Sequence, residues 1–139
     1  MADFRKLHKM PTARVAMTPF PHAIALEATA DEAWALMLEH GIRHLPVTSN
    51  GQLVGIVTER DVMKVVADGG DPDATKVSEV MTPDPDFLDP DVEVNYAADW
   101  MLAAGYRHLP IKDEHGRLLG VLSIKDVLWG VTQGRDTAV

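Results

Sequence analysis

The chain has 139 residues, no cysteine, 46% hydrophobic residues and a formal net charge of −8. The apolar share is enough to build a core and argues against global disorder, the acidic balance argues against nucleic acid as a partner, and the lack of thiols excludes disulfides, thiolate catalysis and Cys-based zinc sites. No apolar run reaches the roughly 18 residues of a membrane span. The opening MADFRKLHKMPTAR has no apolar segment behind it and does not read as a signal peptide, so the cytoplasm is expected, without membrane contact.

In chain order, residues 1–13 are expected to form an arm or a short packing segment. VAMTP (Val15–Pro19) then opens a first unit, and HAIAL is a short strand candidate. In TADEAWALMLEHG, Thr29 and Glu32 fit a capping box, in which each side chain satisfies a free backbone amide at the helix start. Ala33, Leu36, Met37 and His40 recur at helical spacing, and Gly41 is a natural stop. RHLPV and QLVGIV predict strands around the turn SNG, and TERDVMKVVADG predicts a second helix ending at Gly69. The Gly-, Pro- and Asp-rich ADGGDPDATK (Ala67–Lys76) reads as a linker.

The same phrases then return. EVMTP (Glu79–Pro83) repeats VAMTP, and GYRHLPI (Gly105–Ile111) repeats GIRHLPV (Gly41–Val47), both at an offset of 64. LLGVLSIKDV (Leu118–Val127) repeats LVGIVTERDV (Leu53–Val62) at 118 − 53 = 65, the extra residue falling in a turn. The second copy reads DFL, NYAADWMLAAG, HLPI, LLGVL and SIKDVLWGV as strand, helix, strand, strand, helix. The reading is an internal duplication with the order β-α-β-β-α twice, of α/β (α+β) class. Its boundaries are 1–13 arm, 14–68 first repeat, 69–77 linker, 78–133 second repeat and 134–139 tail. Each copy is marginal in size alone.

MTP, EHGIRHLPV and GQLVGIVTERDV, followed by MTP, AAGYRHLPI and GRLLGVLSIKDV, together resemble a pair of CBS domains, the cystathionine-beta-synthase type or Bateman module, over roughly residues 14–133. The resemblance implies tandem β-α-β-β-α repeats related by pseudo-twofold symmetry. It implies a stand-alone regulatory module that binds an adenosine-containing ligand (AMP, ADP, ATP, NAD or S-adenosylmethionine) and signals to an unidentified effector protein. It further implies assembly as a homodimer, no catalytic residues and no obligatory cofactor. The alternative is a ligand-free structural or oligomerisation module.

Thr58-x-x-Asp61 and Ser123-x-x-Asp126 lie at strand-to-helix junctions. As residues they read as helix caps. The resemblance adds a second role: the Asp accepts from ribose hydroxyls, a task its several acceptor sites suit, and the Ser or Thr lies near ribose or phosphate. A helix N-terminus also suits an anion. His44 and His108 stand where the family often carries a basic residue before Leu, which implies phosphate contact with a pH-dependent group. Arg43 and Arg107 precede them, and Arg60 and Lys125 add positive charge within the helix motifs.

Thr18 and Thr82 each precede Pro and read as extended. In the family this opening segment of one copy meets the Ser/Thr-x-x-Asp of the other. That implies two crossed sites: Thr18 and Ala23 with His108, Ser123 and Asp126, and Thr82 and Phe87 with His44, Thr58 and Asp61. Ile56 and Val121 would flank adenine. His40 and His44 are spaced i, i+4, but Gly41 is expected to end the helix between them, so no metal site is assigned. Trp34, Trp100 and Trp129 fall on predicted helices, where a dimer contact is expected.

Overall fold

The computed structural model describes residues 10–19 and 21–136, with side chains through Gln133. His8 and most of the expected N-terminal arm lie outside the described residues, as do residues 137–139. The elements are α1 (Ala13–Ala16), β1 (Thr18–Pro19), β2 (Ile24–Ala25), α2 (Ala30–His40), β3 (His44–Ser49), β4 (Gln52–Thr58), α3 (Glu59–Ala67), α4 (Val77–Val80), β5 (Thr82–Pro83), α5 (Val94–Ala104), β6 (His108–Lys112), β7 (Leu118–Ser123) and α6 (Ile124–Asp136). The fold is mixed α and β, with the β-α-β-β-α order evident in the first copy.

The chain divides into two compact units. A central unit comprises His22–Pro85, and a split unit joins the residues before His22 to those after Pro85. Within the central unit the sheet order is β2-β3-β4-β5, with β2 parallel to β3 and the other pairs antiparallel. Within the split unit the order is β1-β7-β6, antiparallel throughout. The units are therefore offset from the sequence repeats. Each sheet takes its short outer strand, β5 or β1, from the opening segment of the other repeat.

Local chemistry accounts for the helix ends. Thr29 Oγ1 accepts from the Glu32 amide at 3.1 Å and Glu32 Oε2 accepts from the Thr29 amide at 3.4 Å, completing the expected box. Gly41 closes α2 in the left-handed region at φ +64°, where a Cβ would be strained. β4 alternates: Leu53, Gly55 and Val57 are buried while Val54, Ile56 and Thr58 are half-buried, the period of two that puts one face on the core. Equivalent positions fill the two cores. Met37, Leu45 and Val47 in the central unit correspond to Met101, Leu109 and Ile111 in the split unit, all nearly fully buried.

Three sequence expectations need correction. DFL does not form a strand. Leu88 alone makes a parallel bridge to Ile111, because Pro85 and Pro90 flank the segment and supply no amide to a ladder. The last helix runs to Asp136, beyond the Val131 at which its motif closes. One-turn helices α1 and α4, which the sequence reading did not expect, precede each Met-Thr-Pro. The segment read as a linker is also tied down. Asp71 Oδ1 accepts from the Asp73 amide, and the Thr75 and Pro72 carbonyls accept from the Ala30 and Asp31 amides at the start of α2.

The borrowed strands approach at glycine. Gly55 faces Pro83 and Gly120 faces Pro19 across the ladder. A Cβ at Gly120 would lie 2.6 Å from the Thr18 carbonyl oxygen, and one at Gly55 would lie 3.0 Å from that of Thr82. A strand carrying side chains there would push the borrowed strand off. Gly120→Ala is expected to cost about 1–3 kcal/mol, in the range of an overpacked site, with Gly55→Ala at the lower end. Urea denaturation midpoints check this; two neutral substitutions would contradict it.

Candidate functional site

The same local construction appears in both units. In the central unit β4 ends at Thr58, which is the N-cap of α3. The Asp61 amide donates to Thr58 Oγ1 at 3.2 Å, while Asp61 Oδ2 accepts from the Thr58 amide at 2.8 Å and from the Thr58 hydroxyl at 3.0 Å. In the split unit the Asp126 amide donates to Ser123 Oγ at 3.1 Å and Asp126 Oδ2 accepts from the Ser123 amide at 2.9 Å. Both motifs are thus capping boxes built on Asp in place of Glu. The first helical amides are also taken: Glu59 donates to the Arg43 carbonyl at 2.9 Å and Ile124 to the Arg107 carbonyl at 3.1 Å. Much of the amide capacity that would serve an anion at these helix starts is already spent within the chain.

Register decides what shares a surface with these caps. His44 lies opposite Thr58, and Thr82 lies opposite Ile56. His108 lies opposite Ser123, and Thr18 lies opposite Val121. Cross-strand partners present their side chains to one side of a sheet, and so do residues two apart. Thr82, Ile56, Thr58 and His44 therefore share the face of the central sheet opposite its core. Thr18, Val121, Ser123 and His108 share the corresponding face of the split unit's sheet. Thr18 and Thr82 are exposed, and Ile56, Val121, Thr58 and Ser123 are half-buried.

Ala23 belongs to the central unit and Phe87 to the split unit, so neither is among the residues gathered in the unit of its expected partners. Phe87 is exposed, and the Lys112 ammonium sits 3.9 Å above its ring centre, a cation–π contact with no motif to announce it. Its neighbour Asp86 accepts a hydrogen bond from the Tyr106 hydroxyl, which raises the Tyr106 pKa because ionisation would lose that bond.

Charge around the site is uneven. His108 is held below its ordinary pKa of 6.5 mainly because its ring is partly desolvated. The Asp126 carboxylate pulls the other way, and Arg107 adds repulsion. The Arg43 guanidinium turns to Glu59, Nε to Oε1 at 3.9 Å, on the surface, so it is not committed to the sheet face. Among the described residues no group of three or more His, Cys, Asp or Glu gathers as a metal cluster. His40 and His44 are separated by the left-handed Gly41, as the sequence indicates, and His40 stacks on His22 instead.

The CBS domain family model matches residues 13–68 and 77–131. This chain belongs to the CBS-domain family. It carries two CBS repeats, which matches the doubled motifs and the mixed fold. An uncharacterized protein of Methanopyrus kandleri is 38% identical over 102 residues, a match covering 72% of this chain and 52% of that protein. Inosine-5'-monophosphate dehydrogenase of Korarchaeum cryptofilum is 38% identical over 106 residues, covering 76% of this chain but 21% of the enzyme. The chain thus spans about half of the first relative and about a fifth of the second. Among solved structures, CBSX2 in complex with AMP aligns with a TM-score of 0.76 at 27% identity, covering 88% of this chain and 97% of that one. Among the described residues, no helix is long and apolar enough to cross a membrane.

The His108 environment gives a pH dependence whose sign is fixed. A lowered pKa in the folded state means that the unfolded chain takes up the proton first. Stability from this group is therefore fully present above pH 6.5 and is lost as the pH falls through 6.5 toward the folded value. His108→Gln is expected to flatten the decline in urea midpoint between pH 8 and pH 5.5. An unchanged decline would contradict the assignment.

Proposed function

We propose that this CBS pair is a non-catalytic regulatory module that binds an adenosine-containing ligand and passes the bound state to an effector protein in the cytoplasm. The observation that carries the reading is the duplicated sheet face: Thr18, Val121, Ser123 and His108 in one unit, and Thr82, Ile56, Thr58 and His44 in the other, each beside an Asp at a helix start. In both caps the Asp bonds fall on Oδ2, so Oδ1 of Asp61 and Asp126 is the atom to accept ribose hydroxyls. His44 and His108 approach phosphate, and Ile56 and Val121 offer apolar contact to adenine. The AMP complex of CBSX2 supports the ligand class. AMP, ADP, ATP, NAD and S-adenosylmethionine all present the adenosine this face would grip. No obligatory cofactor and no metal enters the proposal.

A second reading has its own support. The caps already engage Thr58 and Asp61, and Ser123 and Asp126, in local hydrogen bonds, as they would in a ligand-free structural or oligomerisation module. Thermal shifts with the five ligands and with GTP separate the two. Ligand at 100 times its Kd is expected to add about 2.7 kcal/mol of stability. Asp61→Ala and Asp126→Ala are each expected to cost about 0.5–2 kcal/mol as lost caps, and the double variant is expected to lose the ligand response as well. A wild type unresponsive at millimolar ligand would leave the structural module standing.

Homodimerisation through the helices belongs to the same proposal. Leu38 and its repeat equivalent Leu102 are 62% and 86% exposed, and Met63 and Leu128 are 68% and 62% exposed. Trp34, Trp100 and Trp129 add partly exposed aromatic surface on α2, α5 and α6. Apolar side chains shown twice at the same positions suit a face buried between two copies. Leu38→Glu with Leu102→Glu is expected to convert a dimer to a monomer in light scattering while leaving the circular dichroism spectrum intact. A wild type that is already monomeric at micromolar concentration would contradict it.

A further inference from the structure

Asn50 and Gly51 form the tip of the β3–β4 hairpin and take no part in the sheet face described above. They are the residues between Ser49 and Gln52, the last pair of the ladder. Both have positive φ, 52° at Asn50 and 81° at Gly51, as a type I′ turn requires, and Asn-Gly is the sequence such turns favour. Both residues are exposed, and a Cβ placed on Gly51 would meet nothing within 4 Å. The Asn50 carboxamide is thus followed by a main-chain nitrogen whose residue has no side chain and open space in which to turn.

No other carboxamide of an asparagine is placed this way. The sequence has one further asparagine, Asn95. It lies in the first turn of α5 with its side-chain oxygen buried. The next residue is Tyr96, whose amide donates to the Glu93 carbonyl at 3.1 Å. The matching turn of the second repeat holds no asparagine. There Asp113 Oδ1 accepts from the His115 and Arg117 amides, both at 2.9 Å, and Gly116 follows a histidine.

From this geometry we propose that Asn50–Gly51 is a site of covalent self-modification, which converts the hairpin of the first repeat into aspartyl and isoaspartyl forms. The Gly51 nitrogen attacks Asn50 Cγ. The N–Cγ bond forms, the Cγ–Nδ2 bond breaks, and the Gly51 amide proton leaves with Nδ2 as ammonia. Solvent water then opens the cyclic imide. Cleavage between the ring nitrogen and Cγ gives aspartate, and cleavage between the ring nitrogen and the main-chain carbonyl carbon of residue 50 gives isoaspartate. No electrons are exchanged, and water is the co-reactant. The aspartyl product keeps the hairpin, since Asp-Gly suits the same turn. The isoaspartyl product puts an extra methylene into the main chain and is expected to break the adjacent Ser49–Gln52 pair. It also leaves a free α-carboxylate in an exposed turn, the group that an isoaspartyl-specific methyltransferase esterifies. Either product adds a negative charge to a chain already at −8. The reaction needs no ligand, so its test is independent of the adenosine reading.

The test is an incubation of the folded full chain in mildly alkaline buffer. Peptide mass spectrometry follows the carboxamide, and labelled methyl transfer from S-adenosylmethionine by an isoaspartyl methyltransferase follows the isoaspartate. The peptide holding Asn50 is expected to gain the mass difference between an amide and an acid and to separate into two products, while the peptide holding Asn95 stays unchanged. Methyl acceptance is expected to rise over the same time course and to fall in Asn50→Gly, which keeps a residue suited to positive φ but removes the carboxamide. An Asn50 that stays intact in the folded chain while a urea-unfolded sample reacts would overturn the proposal, as would methyl acceptance undiminished in Asn50→Gly.

Discussion

Everything in this structure depends on a borrowed strand crossing a residue without a side chain. Thr18–Pro19 lies against Gly120 and Thr82–Pro83 against Gly55, close enough that a Cβ would press on the borrowed backbone. Each sheet is completed in this way by the opening segment of the other repeat. The proline in each borrowed strand has no amide to donate, which suits a strand at a sheet edge. The exchange places Thr18 beside Val121 and Thr82 beside Ile56, and so gives each polar face a residue that its own repeat could not provide.

The helix caps sit on the same construction. A strand that ends in Thr or Ser and turns straight into a helix needs its first amides satisfied. One oxygen of Asp61 and of Asp126 accepts the Thr58 or Ser123 amide, the Thr58 and Ser123 hydroxyl oxygens accept the Asp61 and Asp126 amides, and the carbonyls of Arg43 and Arg107 accept the Glu59 and Ile124 amides. The local order at each helix start is thus set by the chain itself, and under the proposed function it would lower the ordering cost of binding. Under that proposal a fold-stabilising role and a ligand role would fall on the same carboxylate, so a change at Asp61 or Asp126 would act on both.

The two halves are similar without being equal. Thr58 donates its hydroxyl to Asp61, a bond without an equivalent between Ser123 and Asp126. His44 is half-buried and His108 exposed, and Ala23 in the first copy matches Phe87, covered by Lys112, in the second. Duplication supplied one framework twice, and later substitution has changed the chemistry on its polar faces.

The repeats, the helix ends and the alternation of β4 were legible in the residues. Capping at Thr29–Glu32, termination at Gly41 and Gly105, and the period-two burial of Leu53, Gly55 and Val57 are local effects of a few neighbouring side chains. Exchange of the outer strands reached the sequence reading only through family likeness, because nothing in Met-Thr-Pro says which sheet it joins. The sequence also could not show that Leu88 makes a lone bridge, that Lys112 covers Phe87, or that His22 meets His40 across 17 intervening positions. Those outcomes rest on non-local packing. Residues far apart in the chain meet there only after the sheet register has been chosen.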